Sequence, residues 1–437
     1  MLNKLKLKIP VFASLLKSEA RPMVDDLLLE LRTKFKTMNV EPEFHIYTKP
    51  HIVPSDFPAL HRSAQYNLCF IATGGTESLC VEYASLLHKR APEKPIILLS
   101  HPYMNSLAAG LEARCKLVYE TKPAYLFHTT DHQEMQNLFS VLRARDYLTQ
   151  EGKKVGIIGH PSDWLVASDL ETIGSKSEVW GIKIHEEIIS LKEVTKLYDS
   201  IPNNSSEVEN IVRYFLAQDA KLAATRPGDS TNRWLWDNAR FCVALSKVVK
   251  QYDLFGLTLR CFDLINGNIT GCLAVSYLND MGIPSACEGD IPALITMMLS
   301  HSVSGSPSFM ANPIHYRGKH LTLAHCTIPT KMTMHVKLMT HFESGQGAAI
   351  QADLRNPDKP WTISRANLWD NVMNCEEVIA RNIEAKSDRS CRTQVEAEFK
   401  SEELLLKYLG KASGNHQILT EGSWVKTFQL YKKLFIH

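Results

Sequence analysis

Residues 67–73 read Asn-Leu-Cys-Phe-Ile-Ala-Thr and lead directly into Gly74-Gly75, after which residues 76–89 have helical spacing. A second continuous apolar run, Pro-Ile-Ile-Leu-Leu, follows at 95–99. Short apolar runs that alternate with helices are typical of buried strands in a parallel sheet, because each crossover needs a helix. We interpret residues 5–12 as a further strand of this sheet rather than as a targeting segment.

The alternation of strands and helices continues to about residue 305, and the pattern then changes. Beyond that point, short β-like runs punctuated by Gly and Pro predict a mainly antiparallel region with a few helices. Within the alternating region that precedes residue 305, residues 116–120 are also predicted to form a strand. The sequence therefore predicts an α/β protein of three domains. These are an α/β domain at 1–151, a second α/β domain at 152–305 that carries Glu288, and a β-rich domain at 306–437 that carries His325 and His416.

The composition of the 437 residues excludes several classes of protein. The formal net charge is +2, whereas nucleic-acid binding normally rests on a basic excess. No apolar run approaches the roughly 18 residues that cross a bilayer. The ten cysteines form no CxxC pair, which favours buried free thiols in a reducing compartment over disulfides or a zinc ribbon. We therefore expect a cytoplasmic protein with neither a nucleic-acid nor a membrane partner.

Two carboxylates stand in the segment Ala286-Cys287-Glu288-Gly289-Asp290, which follows a predicted strand and opens a predicted helix. Open α/β sheets bind ligands at the carboxyl ends of their strands. Asp290 is equally well explained as the N-cap of the helix. Glu288 lies between apolar residues, so we expect it to be buried and to need a partner, often a cation.

Three further side chains could complete a metal site with Glu288. Asn312 ends one strand-like run, His325 follows another, and His416 enters a third. A glutamate, an amide oxygen and two imidazoles suit Mn²⁺, Fe²⁺ or Co²⁺. Spacing alone is weak support, because most of the 17 histidines in the chain are expected to be structural.

The segment IPSACEGDIPALITMMLSHSVSGSPSFMANPIHY, followed by LTLAHC and GNHQILTEG, resembles the L-fucose isomerase family and its relatives, which include L-arabinose isomerase. The resemblance is strongest over residues 256–326 and 414–422. It implies two Rossmann-like parallel-sheet domains followed by a β-rich C-terminal domain. It also implies Mn²⁺ or another divalent cation, a sugar substrate, and a homo-oligomer (a trimer or hexamer) in which the site often lies between subunits.

The resemblance also assigns roles to residues of this chain. Glu288 matches a metal-binding glutamate that is also one of two acidic groups moving a proton between C1 and C2 of the sugar. His416 matches a ligand histidine, and His325 resembles the additional histidine of the arabinose-type enzymes. Asn312 stands where the family has an acidic ligand, and an amide carries no charge and is no general base at neutral pH. Asp290 or Glu343 are the candidates to replace it.

The resulting hypothesis is a metal-dependent ketol isomerase that interconverts an aldose and a ketose through an enediolate, with Glu288, Asn312 and Asp290 as its catalytic candidates. The alternative is a sugar-binding homologue that keeps the fold and has weakened or lost turnover, which Asn312 favours. A nucleotide site at Gly74-Gly75 lacks the GxGxxG or GxxxxGK[ST] pattern. Candidate substrate-binding residues are Trp164, Arg260 and Asn105, although an ion pair explains Arg260 and core packing explains most tryptophans.

Overall fold

The computed structural model describes residues 4–15, 20–48, 66–150, 152–168, 178–185, 188–219, 233–267, 269–411 and 414–436. The chain divides into two compact units. One unit contains Met1–Arg143 and Leu430–His437, and the other contains Ala144–Gln429.

The first unit contains a five-stranded parallel sheet in the order β2-β1-β3-β4-β5. Its strands are β1 (Leu5–Phe12), β2 (Val40–Tyr47), β3 (Asn67–Ile71), β4 (Ile96–Ser100) and β5 (Ala124–His128). The helices of this part of the chain are α1 (Ala20–Thr37), α2 (Glu77–Arg90), α3 (Ser106–Tyr119) and α4 (His132–Leu148). Every residue of β3 and β4 is buried, as expected for strands covered by helices on both faces.

The strand predicted at 116–120 is wrong. These residues continue α3, which ends at Tyr119, and the strand follows at β5. Leu117 is buried on the same face of α3 as Ala109 and Ala113, so its apolar character reflects helical rather than strand periodicity. A short apolar run does not by itself distinguish a helix from a strand.

The second unit begins with a three-stranded parallel sheet in the order β10-β9-β6. Its strands, with a small antiparallel pair formed by β7 and β8, are β6 (Lys154–Ile158), β7 (Glu178–Val179), β8 (Ile182–Lys183), β9 (Leu254–Leu259) and β10 (Ser285–Cys287). The helices are α5 (Leu191–Ser200), α6 (Ser206–Leu216), α7 (Arg233–Gln251), α8 (Cys272–Asp280) and α9 (Ile291–Ser304). Because β10 leads directly into α9, the turn between them lies at the carboxyl edge of this sheet.

The C-terminal part of the second unit is a closed, antiparallel six-stranded sheet in the order β11-β12-β17-β16-β15-β18. With the separate pair β13-β14, its strands are β11 (Phe309–Arg317), β12 (His320–His325), β13 (Thr333–Met339), β14 (Ala349–Leu354), β15 (Lys359–Asn367), β16 (Val372–Asn382), β17 (Thr393–Glu398) and β18 (Gln417–Glu421). Two helices, α10 (Glu402–Lys411) and α11 (Val425–Phe435), complete the elements. The mixed α/β class and the β-rich C-terminal region are confirmed, and the division into three domains stays a prediction.

The cysteines agree with the expectation of free thiols. Each of the ten cysteines lies in a described segment and is a free thiol; Cys115 is exposed, Cys391 is partly buried and the others are buried. Among the described helices, none has both the length and the apolar character needed to cross a membrane.

Candidate metal centre

The turn between β10 and α9 has a backbone conformation that positions Glu288. Glu288 has φ of 63° and Gly289 has φ of 76°, so two successive residues are left-handed. A Cβ at Gly289 would lie 2.5 Å from Cα of Pro161, so only glycine fits there. The Glu288 carbonyl accepts a hydrogen bond of 2.8 Å from the N–H of Ser162. Left-handed backbone is uncommon for a glutamate, and such strained residues cluster at functional sites.

Glu288, His325 and His416 form a buried cluster. Oε1 of Glu288 lies 3.3 Å from Nε2 of His416 and 3.8 Å from Nε2 of His325. One possible ligand atom from each residue lies within 4.8 Å of the other two, and no other such group of three or more occurs among the described residues. The burial predicted for Glu288 is confirmed, since only 7% of the residue is exposed. Chain positions far apart thus supply three converging ligand atoms.

Asp290 combines the capping role with a contact to the cluster. Its Oδ1 accepts the N–H of Ala293 at 2.9 Å, as the N-cap of α9. Its Oδ2 accepts the Nδ1–H of His416 at 2.8 Å. Arg365 donates to both carboxylate oxygens at 3.0 Å, and its Nη2 also donates to Ser168. The fork geometry of a guanidinium matches a carboxylate, and both side chains are fully buried.

Opposite charges within the cluster offset the energetic cost of burying ionised side chains. Burial opposes ionisation of Asp290, but the Arg365 charge and the His416 hydrogen bond outweigh it and hold its pKa at about 2. Burial likewise opposes ionisation of Glu288, yet hydrogen bonds from His325 and His416 keep its pKa well below the usual range. Burial favours a neutral His416, whereas hydrogen bonds to Asp290 and Glu288 raise its pKa to about 9. Without a cation, the proton on His416 therefore neutralises part of the negative charge.

Hydrogen bonds from outside the cluster orient two of its members. The indole Nε1–H of Trp164 donates to Oε2 of Glu288 at 2.7 Å, and the Trp164 ring makes an edge contact with Phe262 at a centroid distance of 4.9 Å. Nδ1 of His325 lies 2.9 Å from the hydroxyl of Thr327. Ligand histidines usually form such a bond through the ring nitrogen that faces away from the metal.

Asn312 lies within one register position of each histidine along the strands that flank β11. On one side of β11, Asn312 pairs with Ala324, the neighbour of His325. On the other side, Ala311 pairs with Gln417, the neighbour of His416. The Oδ1 atom of Asn312 is buried and accepts no hydrogen bond from the described residues. A buried acceptor without a donor is costly, so this oxygen has a reason to bind a cation or a ligand.

The donor set fits a divalent cation. A carboxylate and two imidazoles, all buried, make the mixed oxygen and nitrogen set that suits Mn²⁺, Fe²⁺, Co²⁺ or Zn²⁺. Asn312 Oδ1 offers a neutral oxygen in the same region of the sheet. Its assignment as a ligand, like the other assigned roles, stays a prediction.

The remaining substrate-binding candidates differ in position. Arg260 follows β9; its Nε donates to Asp263 at 2.9 Å and its Nη1 donates to the carbonyl of Pro161 at 2.7 Å, which agrees with the ion-pair interpretation. Arg260 therefore contacts the same loop that carries Trp164. Asn105 lies in the first unit, immediately before α3, with a left-handed φ of 55°.

Sequence reasoning missed Arg365 and Thr327. Arg365 lies in the middle of β15, where an arginine within a run of buried residues is an unusual signal. That signal indicates a buried ion pair but does not identify the partner. Thr327 had no signal in the sequence.

Curated relatives of the chain are sulfoquinovose isomerases. That of Alkalicoccus urumqiensis is 24% identical over 233 residues, which cover 51% of this chain and 50% of the relative. Those of Priestia aryabhattai and Priestia megaterium are 23% identical over 227 residues, 48% of this chain and 46% of each relative. The chain thus spans about half the length of the curated relatives it matches. No known protein-family model matches it. The relatives' name places them among the sugar isomerases, the same general kind of enzyme as the fucose and arabinose isomerases.

Proposed function

We propose that this protein is a metal-dependent aldose–ketose isomerase. The observation that carries the proposal is the buried cluster of Glu288, His325 and His416, whose ligand atoms converge within 4.8 Å. Two sequence similarities support it: the chain resembles the fucose and arabinose isomerases, and the curated relatives are named as sugar isomerases.

The cation would be held by Glu288, His325 and His416, with Asn312 Oδ1 as a further oxygen. A bound divalent cation supplies Lewis acidity to the adjacent oxygens O1 and O2 of an open-chain sugar. Asp290 accepts the Nδ1–H of His416 and so leaves Nε2 free to face the cation. Arg365 keeps Asp290 ionised, and we infer that Asp290 serves the site through His416 rather than by contact with the sugar.

Both oxygens of Glu288 have defined positions. Oε1 faces the two imidazoles, and Oε2 is held by the indole N–H of Trp164. Half of Trp164 is exposed, so one part of the indole orients Glu288 while the rest can contact a sugar face. Arg260, bound to the same loop, would hold that loop in place and offers a cation to a substrate anion.

We further propose that the substrate is an open-chain aldose of the fucose or arabinose type. The relatives' name adds sulfoquinovose, a hexose that carries a sulfonate group. The proposal also includes Mn²⁺ as the cation, two Rossmann-like domains before the β-rich region, assembly into a homo-oligomer and a cytoplasmic location.

The test is elemental analysis of protein purified without chelator and reloaded with Mn²⁺, beside a Glu288→Gln variant. We expect about one divalent ion per chain in the wild-type protein and a large loss in the variant, because an amide removes the only negative ligand. Ketose formation is then measured from L-fucose, L-arabinose and sulfoquinovose. Binding of metal without turnover of any aldose supports the sugar-binding alternative, and absence of metal from both proteins contradicts the metal site itself.

A further inference from the structure

An isomerisation through an enediolate needs a group that carries a proton between two carbons, and both carboxylates of the candidate metal cluster already have hydrogen-bond partners. Asp290 is enclosed by Arg365, His416 and the backbone of α9. Both oxygens of Glu288 have partners, the imidazoles at Oε1 and the indole at Oε2. Asn312 carries no titratable group.

The loop that joins β13 to β14 carries a carboxyl group, that of Glu343, which is linked to this cluster through a series of contacts. An aromatic series runs from Trp164, which binds Glu288, through Phe262 to His341 at the start of the loop. The ring centroids of Trp164 and Phe262 are 4.9 Å apart, and those of Phe262 and His341 are 5.6 Å apart. Nε2 of His341 lies 3.6 Å from Oε2 of Glu343.

The loop is anchored at both ends. Arg392 donates to the carbonyl of Thr340 at 2.8 Å, and Thr270 exchanges hydrogen bonds with the backbone of Ala348 at 2.8 and 3.0 Å. Within the loop, the N–H of His341 donates to the carbonyl of Gln346 at 2.8 Å. A loop fixed in this way can hold a side chain in a defined position.

Partial burial makes Glu343 less acidic than an exposed glutamate, because it raises the pKa of the carboxyl group above its ordinary value. A carboxyl group whose pKa is closer to the working pH is a better general acid–base than a strongly ionised one. Its side chain is 50% exposed, so a sugar can reach it.

We propose that Glu343 is the catalytic carboxylate that moves the proton between C2 and C1 of the sugar, and this inference rests on the proposed isomerase function. Glu343 accepts the C2 proton, the C–H electron pair forms the C1=C2 bond, and the carbonyl pair moves to O1. A proton then passes from O2 to O1, the C=O bond forms at C2, and Glu343 returns its proton to C1. The aldose becomes the ketose with no other reactant.

The experiment compares Glu343→Gln with Glu384→Gln in the full chain loaded with Mn²⁺. Glu384 is an exposed glutamate beyond the end of β16 and serves as the matched control. With the aldose that the wild-type protein converts fastest, kcat of Glu343→Gln should fall by about 10²–10⁴-fold, while that of Glu384→Gln stays unchanged. Metal content and calorimetric binding of the corresponding open-chain polyol should be retained in both variants.

A second variant separates a chemical role from a structural one. Glu343→Ala should regain part of its turnover when formate is added, because a small carboxylate can enter the space of an exposed side chain. Turnover of Glu343→Gln equal to that of the control overturns the inference and returns the proton to Glu288. Loss of metal in Glu343→Gln also overturns it, because Glu343 is then a ligand. A wild-type protein that binds metal and converts no aldose overturns the proposed function, and the inference with it.

Discussion

His416 and Asp290 are joined by a hydrogen bond of 2.8 Å from the imidazole Nδ1–H to a carboxylate oxygen, although 126 residues separate them in the chain. The bond fixes which ring nitrogen carries the proton and directs Nε2 toward Glu288. Asp290 is fixed in turn by Arg365 and by its position at the start of α9. The orientation of His416 in the candidate metal cluster therefore depends on the buried ion pair between Asp290 and Arg365.

Replacing Asp290 by Asn tests this dependence. The amide oxygen can still cap α9, but it no longer balances the buried charge of Arg365. We expect the affinity for Mn²⁺ to fall by about 10–100-fold, as for other partners of ligand histidines. The free energy of unfolding should fall by about 3–5 kcal/mol, because a buried charge is left uncompensated. Chelator competition and urea denaturation measure the two effects.

The matched control is Asp263→Asn, which breaks the pair between Asp263 and Arg260. The Asp263 side chain is 48% exposed, so water replaces its partner and the cost is about 0–1 kcal/mol. Metal affinity should not change. Equal losses in the two variants would show that the Asp290–Arg365 pair has no special connection with the metal.

Asn312→Asp should strengthen metal binding. The buried Oδ1 atom has no hydrogen-bond donor among the described residues, and an aspartate would place a negative charge in the same position. We expect Mn²⁺ affinity to rise by roughly tenfold or more, because affinity for hard cations increases with ligand charge. The chelated variant should be less stable than the wild-type protein, because the new carboxylate is then buried without a cation.

The control for charge alone is Asn367→Asp at the end of β15, where the amide oxygen accepts the backbone N–H of Trp369. This variant should leave metal affinity unchanged. If Asn312→Asp behaves in the same way, Asn312 is not a metal ligand. The lack of a hydrogen-bond donor to its Oδ1 atom then has another explanation.

The sequence indicated the position of the site because local signals coincide there. A buried strand ends at Cys287 and a helix begins after Asp290, so Glu288 and Asp290 had to lie at a sheet edge. The sequence left open whether Asp290 caps the helix or joins the cluster. In the structure it does both. The decisive partner, Arg365, is 75 residues away and its pairing depends on how β15 enters the closed sheet.

Pairing between distant strands explains what else the sequence left open. The positions of His325 and His416 on either side of β11 follow from strand register, which short apolar runs do not specify. The contact between His341 and Phe262 depends on the anchors of the loop between β13 and β14. Local patterns and the resemblance to the fucose and arabinose isomerases therefore suggested the candidate ligands, whereas their supporting residues required the structure.

Metal binding should release a proton and tighten as the pH rises. The pKa of His416 is raised to about 9 when no cation is present, so the ring is protonated at neutral pH and must lose its proton to bind a metal. Affinity should increase by roughly tenfold per pH unit up to about pH 9. Calorimetry in buffers of different ionisation enthalpy should find about one proton released at neutral pH. A pH-independent affinity would contradict this role for His416.

The chelated protein should show the corresponding change in stability. Because the pKa of His416 rises from about 6.5 in the unfolded chain to about 9 in the folded one, its contribution is fully present below about pH 6.5. That contribution is lost as the pH rises toward and through about 9. The difference in free energy of unfolding between the wild-type protein and His416→Gln should shrink over this range. A difference that stays constant would mean that His416 does not carry the proton.

Trp164→Phe isolates the hydrogen bond to Glu288 from the aromatic contact. Phenylalanine keeps an aromatic ring against Phe262 but has no N–H to hold Oε2 of Glu288. A hydrogen bond to a charged group contributes about 1.5–3 kcal/mol, and the half-exposed position lets water replace part of it. We therefore expect a loss of roughly tenfold in Mn²⁺ affinity. Trp369→Phe, at a residue that is 77% exposed, is the control and should leave the affinity unchanged. If both variants bind Mn²⁺ like the wild-type protein, the indole does not position the ligand, and contact with the sugar is the remaining role for Trp164.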